Sequence, residues 1–279
     1  MPSDTQTSAP PIQLGFIGAG KLAGSVIRGL LRSDFCRPER IIASQPVDEL
    51  RAELERETGI RVTPNNIDVI EAADLIFIGV KPGVVLPVIR ESAAGLREKC
   101  VVSLAAGIRL ESMEEMADAR FLRAMTNTPS AICRAATAIA RGSRTTDEDV
   151  RRVKEIFSAI GVVVEVGEEH IDAVTALAGS GPAFVYTVIE ALADGGKATA
   201  LPADVALKLA TQTVLGAAQL AAESNASPEE LRRMVITPGG TTAAGLAAME
   251  KHGTTQGVIA AVEAAAARGR EMATGAPSA

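Results

Sequence analysis

Aromatic residues and excess charge are both scarce in this sequence. Aromatic side chains make up 3% of the 279 residues, tryptophan is absent, tyrosine occurs once, and the formal net charge is −6. Single-stranded nucleic acids bind to stacked aromatic side chains, and duplexes bind to basic surfaces. We therefore expect no nucleic-acid partner, and the weak negative charge offers no attraction to an anionic membrane surface.

Cysteine and histidine are too few and too scattered to indicate a redox or metal site. Cys36, Cys100 and Cys133 are odd in number and lack CxxC spacing, so we interpret them as small buried apolar residues. His170 and His252 lie in no motif with a carboxylate or a cysteine, which disfavours a metal site and a His-based triad. We expect no metal, and a reaction whose difficult step is carried by a cofactor.

Targeting signals and long apolar runs are also missing. Residues 1–11 are polar and contain proline, without the basic start and apolar stretch of a secretion signal, and are predicted to form a disordered tail. We find no uninterrupted apolar run near the roughly 20 residues that cross a bilayer. The expected location is the cytoplasm, with no membrane partner.

The N-terminal part of the chain alternates short β-branched runs with stretches of helical period. The predicted strands are 12–17, 40–44, a short piece near Arg61, 74–80, 100–106, 121–125, 137–142 and 162–166. Several are apolar at consecutive positions, as is typical of a parallel sheet covered by helices on both faces. We predict a doubly wound, Rossmann-like α/β domain over residues 12–168.

The strand signal ends at about Asp172, and an all-helical domain is predicted over residues 169–279. The predicted helix breaks are at Gly179–Pro182, Gly195–Gly196, Pro202, Ser227–Pro228 and Pro238–Gly240. Residues 205–222 are apolar around much of the helix, so we expect a second subunit to cover them. The alternative is a thick helical layer folded back on the chain's own sheet.

The stretch LGFIGAGKLAG, residues 14–24, has the order strand, tight turn, helix. Its spacing Gly18-x-Gly20-x-x-Ala23 is a form of the dinucleotide-binding fingerprint, in which backbone N–H groups at a helix N-terminus hold the pyrophosphate. A glycine turn selected for its backbone geometry alone is the other interpretation. The flanking strand and helix are the context that the fingerprint requires.

The end of the second predicted strand bears on which dinucleotide binds. Ser44 and Gln45 stand where an NAD site has a carboxylate for the ribose hydroxyls, and Arg51 follows on the next helix. This favours NADPH as the cofactor. Asp48 and Glu49 lie nearby, so NADH remains possible.

Three further loops follow predicted strands, where ligands of open α/β sheets bind. They are GVKPG (79–83), LAAG (104–107) and AMTNTPS (124–130). Lys81 is either a contact of the nicotinamide half or its phosphate, or an exposed lysine held extended by Pro82. Asn127 either orients the nicotinamide or the substrate, or caps its own turn.

Several motifs together resemble the delta-1-pyrroline-5-carboxylate reductase family, from Ile12 to about Met272. They are GFIGAGKLA (15–23), VKPG (80–83), AMTNTP (124–129), GSGPAF (179–184), EALADGG (190–196) and TPGGTT (237–242). The resemblance implies reduction of the cyclic imine 1-pyrroline-5-carboxylate to L-proline by NAD(P)H. It also implies a homodimer with interlocked helical domains, often arranged in a ring of dimers such as a homodecamer.

The resemblance also implies site residues. The cofactor contacts would be Gly18, Ala19, Gly20, Lys21, Leu22, Ser44, Asn66, Val80, Lys81, Pro82, Ala105, Ala106 and Gly107. The substrate contacts would be Glu168, Ser180, Gly181, Pro182, Gly239, Gly240, Thr241 and Thr242. Two positions depart from the family: Lys21 adds a cation where a neutral residue is commoner, and Met234 stands where some relatives offer the cofactor a polar contact.

The turn TPGGTT makes chemical sense independently of the family. It is a second glycine-rich turn that opens a helix, so the N–H groups from Gly239 to Thr242 can hold the substrate carboxylate. The hydroxyl of Thr242, our catalytic candidate, can donate to the imine nitrogen, or merely positions an imine that arrives protonated. A plain break between two helices is the alternative.

Two other functions are compatible with part of this pattern. A β-hydroxyacid dehydrogenase shares the layout of a sheet followed by helices, but Lys197 and Lys208 do not follow GSGPA at a suitable interval for its catalytic lysine. A non-catalytic NADPH-binding scaffold would keep the first turn but would have no need of PGGTT.

Overall fold

Eight strands form one sheet in the computed structural model of the chain, which describes residues 12–273. The strands are β1 Leu14–Ile17, β2 Ile41–Ser44, β3 Arg61–Thr63, β4 Leu75–Ile78, β5 Cys100–Ser103, β6 Arg120–Met125, β7 Ala135–Arg141 and β8 Gly161–Glu165. Every predicted strand is present, with some ends displaced by a few residues. The predicted disordered tail, residues 1–11, lies outside the described residues.

The sheet is parallel over six strands and mixed at one edge. The strand order is β3-β2-β1-β4-β5-β6-β7-β8, with β7 antiparallel to β6 and β8 parallel to β7. Between β6 and β7 the chain forms only the short 3-10 helix Thr128–Ile132. A parallel return needs a crossover of about a dozen residues or more, so the direction reverses here.

Helices cover both faces of the sheet. One face packs against α1 Lys21–Arg32, α2 Asp48–Thr58 and α7 Asp147–Ser158, and the other against α3 Asn66–Ala72, α4 Pro82–Glu91, α5 Ala93–Leu96 and α6 Leu110–Glu114. Alternate residues of a strand enter different cores: Phe16 stacks on Phe77 in one, and Ile17 belongs to the other. Burial on both faces explains the unbroken apolar runs, and the predicted doubly wound α/β fold is confirmed.

The chain divides into two compact units. Among the described residues, the first comprises 12–180 together with 265–273, and the second is Gly181–Ala264. The N-terminal segment of the first unit ends with the short helix α8 Ile171–Val174 and the π-helix Thr175–Gly179. The later helices are α9 Gly181–Ala198, α10 Ala203–Glu223, α11 Pro228–Met234, α12 Thr241–Lys251 and α13 Thr254–Ala273, the last of which continues into the first unit.

Helix α9 continues through one predicted break. It runs past Gly195 and Gly196 to Ala198, whereas the other four predicted breaks coincide with helix ends. A Cβ atom on Gly196 would lie 3.1 Å from the Cβ of Ala206 on α10. Glycine is therefore present here for the close approach of two helices and does not end the helix.

The second unit buries few large apolar side chains by itself. Its core consists of Ala193, Ala206 and Ala210, with Ile189 packed against them. Many large apolar side chains of its helices are exposed, among them Val185, Val188, Leu192, Val205, Leu207, Leu209, Leu215, Leu220, Val258 and Ile259. Contiguous exposed apolar surface of this kind marks an interaction site, in keeping with the expected second subunit.

Two helical stretches in this region are long and apolar enough to cross a membrane. They are Glu168–Ala198 and Ala203–Glu223, with mean hydropathies of 1.3 and 1.2. The first is composed of several helices of different type, joined at Ser180. Length and composition do not distinguish a spanning helix from one that packs against another subunit, so the absence of a membrane partner stays a prediction.

Candidate active site

The predicted cofactor residues of the first unit gather at one edge of the sheet. Because β1 to β6 are parallel, their carboxyl ends share that edge. Each strand there is followed by predicted contacts: Gly18–Leu22 after β1, Ser44 at the end of β2, Asn66 after β3, Val80–Pro82 after β4, Ala105–Gly107 after β5 and Asn127 after β6.

In the turn after β1, the space for a ligand lies beside the second glycine, Gly20. Gly18 has a φ of +83°, and a Cβ atom on it would lie 2.5 Å from Cγ1 of Val80. A Cβ atom on Gly79 would lie 2.7 Å from Cβ of Ala23, so the neighbouring loop is equally close. A Cβ atom on Gly20, by contrast, would meet nothing within 4 Å among the described residues. Gly18 and Gly79 therefore shape the turn, and Gly20 leaves it open.

The N-terminus of α1 faces this opening with free backbone donors. Gly20 is the N-cap, and within residues 12–273 no side chain caps the helix and no acidic residue stands in its first turn. The first intrahelical bond runs from Gly24 N to Gly20 O, at 2.8 Å, which leaves the amides of Lys21, Leu22 and Ala23 available. These donors and the helix dipole suit the pyrophosphate of a dinucleotide.

Ser44 and Gln45 support the turn from the end of β2. The amide of Gly18 donates to Ser44 Oγ at 3.1 Å, and Ser44 Oγ donates to Asn66 Oδ1 at 2.7 Å. Gln45 Nε2 donates to the carbonyl of Ala19 at 3.2 Å. Ser44 is 1% exposed, so its hydroxyl holds the turn internally. Its predicted contact with the cofactor stays a prediction.

Arg51 holds its guanidinium at the end of β2. Its Nη1 donates to the carbonyl of Gln45 at 3.0 Å, and its Nη2 pairs with Asp48 Oδ1 at 2.6 Å. The Arg51 side chain is 21% exposed and that of Asp48 is 86% exposed. The strand itself ends in neutral Ser44 and Gln45, so the cation lies beside the place where NAD sites carry a carboxylate.

The loops after β4 and β5 also adopt conformations suited to the crevice. Lys81 is the extended N-cap of α4, with φ −58° and ψ 148°, and Pro82 is the first helical residue, as the sequence predicts. The Lys81 side chain is exposed, and its role stays open between the two interpretations. Gly107 ends the loop after β5 with a φ of +72°.

Asn127 joins the end of β6 to the π-helix. It is 8% exposed, its Nδ2 donates to the carbonyl of Ala178 at 3.1 Å, and its Oδ1 accepts from the amide of Ala136 at 3.2 Å. The π-helix leads directly to Ser180, and such helices are often found at functional sites. The predicted cofactor contact of Asn127 stays a prediction, while the observed bonds are structural.

Glu168 is half-buried and pairs with a buried arginine that the sequence analysis missed. Its Oε1 accepts from the amide of Leu110 at 2.6 Å and from Arg123 Nη1 at 3.1 Å. Arg123 was not among the predicted site residues. A single charge within the apolar strand 121–125 is the sequence signal that could have revealed it.

The turn before α12 has the local geometry of an anion site in the second unit. Gly239 has a φ of +71°, and Gly240 is the N-cap, with no capping side chain and no acidic first-turn residue within the described chain. The amides of Thr241 and Thr242 lie in the first helical turn, where donors lack intrahelical partners. The other predicted substrate residues of this unit, Gly181 and Pro182, open α9.

Thiol and metal chemistry find little support in the described part of the chain. Burial raises the pKa of Cys36 to about 11 and that of Cys100 to about 12, so both thiols are protonated at neutral pH. Cys100 is buried as expected, whereas Cys36 and Cys133 are only half-buried. Residues 12–273 contain no group of three His, Cys, Asp or Glu side chains placed to hold a metal ion.

Two family models match this chain, one in each region. Residues 168–272 match the family model for the pyrroline-5-carboxylate reductase dimerisation domain. Residues 13–107 match the family model described as NADP oxidoreductase, coenzyme F420-dependent. The first match confirms that the helical region is a dimerisation domain.

Relatives cover nearly the whole chain. The pyrroline-5-carboxylate reductase of Pisum sativum is 44% identical over 93% of this chain and 95% of its own length, and that of Synechocystis sp. is 40% identical over 94% and 98%. The crystal structure of Plasmodium falciparum pyrroline carboxylate reductase with NADP bound has a TM-score of 0.87, at 27% identity over 95% of this chain and 100% of that one. With the crevice and the dimerisation domain, these similarities show that the chain belongs to the pyrroline-5-carboxylate reductase family of oxidoreductases.

Proposed function

We propose that this reductase binds NADPH in the crevice at the carboxyl edge of its sheet and binds the carboxylate of 1-pyrroline-5-carboxylate on the turn before α12. The product is L-proline, and the reaction is the last step of proline biosynthesis. The N-terminus of α1 carries the cofactor assignment, because its uncapped amides face the open space at Gly20.

A preference for NADPH over NADH is supported by the end of β2. A ribose 2′-phosphate needs a cation nearby and a strand end without the carboxylate that binds the ribose hydroxyls in NAD sites. Arg51 supplies the cation, and its bond to the Gln45 carbonyl keeps the guanidinium at the strand end before any ligand arrives. A relative of this chain has been solved with NADP bound. NADH binding would lack the ion pair with Arg51.

Most of the rate enhancement in this mechanism comes from holding the hydride donor and the imine carbon close together. NADPH, when bound, supplies the hydride. Each anion site fixes the orientation of its own ligand, and such fixed orientations are what bring reacting atoms together and select the face that receives the hydride. The imine nitrogen gains electron density as the carbon is reduced, so the Thr242 hydroxyl donates a hydrogen bond to it. If the imine arrives already protonated, Thr242 orients it.

The assembly and the location are further parts of the proposal. The exposed apolar side chains of α9 and α10 support a homodimer whose helical domains pack together, and we propose that such dimers assemble into a homodecameric ring. We propose a cytoplasmic enzyme without a membrane partner. Sedimentation analysis of the purified chain measures the number of subunits, and cell fractionation tests the location.

A spectrophotometric assay tests the function and the cofactor preference together. Consumption of NADPH or NADH is followed by absorbance with the cyclic imine as substrate, and kcat/KM is measured for each cofactor. We expect imine-dependent oxidation, with NADPH favoured by about tenfold or more, which corresponds to one charge-assisted contact. The absence of imine-dependent oxidation with either cofactor would contradict the proposed function.

A further inference from the structure

Arg123 is a buried cation with unused hydrogen-bond donors. The residue is 3% exposed, and its Nη1 bonds Glu168 Oε1 at 3.1 Å. Its Nε and Nη2 are buried without a hydrogen-bond partner among the described residues. A buried guanidinium with one carboxylate partner is costly, because the remaining N–H groups have lost water without replacement.

The fold alone does not require a charge at this position. Phe121 and Met125, two residues to either side on β6, both belong to the apolar core on one face of the sheet. An apolar side chain of similar length would fill the same space and would stabilise that core at least as well. The arginine at this position is therefore explained by the role of its partner, Glu168.

Glu168 connects the loop after β5, which the proposed function assigns to the cofactor, with the segment up to Ser180, which it assigns to the substrate. Its carboxylate accepts from Leu110 N, at the start of α6, directly after the loop Ala105–Gly107. Its own backbone begins the stretch that passes through α8 and the π-helix to Ser180. Asn127 makes a second attachment to that stretch through the carbonyl of Ala178.

We propose that Arg123 is a positioning residue which, through Glu168, fixes the loop after β5 against the segment that ends at Ser180. This inference rests on the proposed function, which assigns the loop to the cofactor and the segment to the substrate. Arg123 is 3% exposed, so it presents almost no surface of its own to either ligand. Its loss therefore changes how the two ligands are aligned rather than whether each one binds, and misalignment lowers kcat more than it raises KM.

The test compares three variants of the cluster with a matched control on the same strand. Arg123→Met removes the charge, Arg123→Lys keeps it, and Glu168→Gln keeps an acceptor for Leu110 N while weakening the ion pair. The control is Arg120→Met, because Arg120 also starts from β6 and pairs with a carboxylate, Asp149, that is 4% exposed.

The control pair is structural. Burial raises the pKa of Asp149, but hydrogen bonds from Arg120 and Thr146 outweigh burial and lower it to about 2. Asp149 belongs to the capping box at the start of α7, which contributes none of the predicted site residues. Both arginine-to-methionine changes thus break an ion pair of β6 in which one of the two side chains is 4% exposed, and only one of those pairs lies in the proposed cluster.

The full-length chain is assayed for kcat and both KM values, with active sites counted by NADPH binding. We expect Arg123→Met to lower kcat about tenfold or more while each KM changes less than about threefold, and Arg123→Lys to recover most of the loss. Arg120→Met should keep kcat per site. The double variant Arg123→Met/Glu168→Gln should be no slower than the slower of the two single variants, because the two changes act on one shared interaction.

Several results would overturn the inference. They are an unchanged kcat in Arg123→Met, an equal loss of kcat in Arg120→Met, and additive losses in the double variant. If Arg123→Met does not fold, a wild-type kcat in Glu168→Gln has the same consequence. Wild-type enzyme that fails to reduce the imine contradicts the proposed function, whereas an active wild type with an equally active Arg123→Met contradicts only this inference.

Discussion

Arg51 is the side chain on which cofactor choice depends in this structure. Its guanidinium is shared between the carbonyl of Gln45 and the carboxylate of Asp48, an exposed residue three positions earlier on α2. A phosphate with two negative charges competes well against a single exposed carboxylate, because the surface pair is worth little in water. Arg51 is therefore able to exchange Asp48 for a 2′-phosphate without leaving the strand end.

Arg51→Ala should reduce the preference of the enzyme for NADPH over NADH. We expect kcat/KM for NADPH to fall about tenfold or more, since a charge-assisted hydrogen bond is lost, while kcat/KM for NADH stays within about twofold. Arg56→Ala is the matched control, because Arg56 is an exposed arginine on the same helix. An equal decrease for both cofactors would show that Arg51 acts on the fold of the turn and not on the phosphate.

Thr242→Ala tests the catalytic hydroxyl. Removing a donor to a nitrogen that gains electron density should lower kcat by about tenfold or more, with a smaller change in the KM of the imine. Thr242→Ser, which keeps the hydroxyl, should retain most activity. Thr254→Ala, at the first position of α13, serves as a control for loss of a threonine at a helix start. Unchanged imine kinetics in Thr242→Ala would remove Thr242 from the catalytic residues.

The residues of the candidate site differ in how well the sequence alone predicts their roles. Gly18 and Gly20 follow from spacing, because a turn that opens a helix restricts which residues are sterically possible. Arg123 shows only as a charge inside an apolar strand, since its partner Glu168 is distant in sequence and the pairing exists only in the folded sheet. The same applies to Asn127, whose acceptor at Ala178 belongs to another element.

Among the elements, the turn between β1 and α1 permits a direct test, because its glycines have different surroundings. Gly18→Ala places a Cβ atom against Val80 at a positive φ and should destabilise the turn, lowering both the thermal midpoint and NADPH binding. Gly20→Ala fills open space and should leave the thermal midpoint within about 2 °C of wild type.

Gly20→Ala should nevertheless weaken NADPH binding, because the added methyl group occupies the space where the pyrophosphate approaches the amides of α1. Thermal unfolding and a binding titration with NADPH measure the two effects separately. Wild-type affinity for NADPH in Gly20→Ala would contradict the assignment of the pyrophosphate to this turn. A matched control is Gly257→Ala on α13, where a Cβ atom also meets nothing within 4 Å among the described residues.

The sequence predicts the strands better than it predicts the interruptions of the helices. Strands buried on both faces leave a strong local signal, a run of β-branched and apolar residues between turns. Gly195 and Gly196 were predicted to end a helix, but α9 continues through both, and the packing of α9 on α10 explains the glycine at position 196. The π-helix Thr175–Gly179 has no local sequence signal at all, because its wider turn is held by tertiary bonds such as the one from Asn127.

The whole molecule is incomplete as one subunit, because α10 carries an apolar stripe that α9 does not cover. Val205, Leu209 and Leu220 of this helix are 39%, 53% and 58% exposed, whereas Ala206 and Ala210 are buried in the small core of the unit. The sequence indicated this surface through its all-round apolar pattern. The identity of the residues that cover it depends on the partner subunit and does not follow from one chain.

Leu209→Glu should prevent the assembly of subunits. A carboxylate buried without a partner in an apolar interface costs several kcal/mol, so the variant should sediment as a 28.8 kDa monomer at concentrations where wild type is a dimer or larger. It should also lose imine reduction, because the helical unit lacks a sufficient core without its partner. Leu50→Glu, at a residue that is 49% exposed on α2, is the control and should keep both assembly and activity. A fully active monomer of Leu209→Glu would show that each subunit folds and works alone, and that the exposed stripe of α10 serves some other contact.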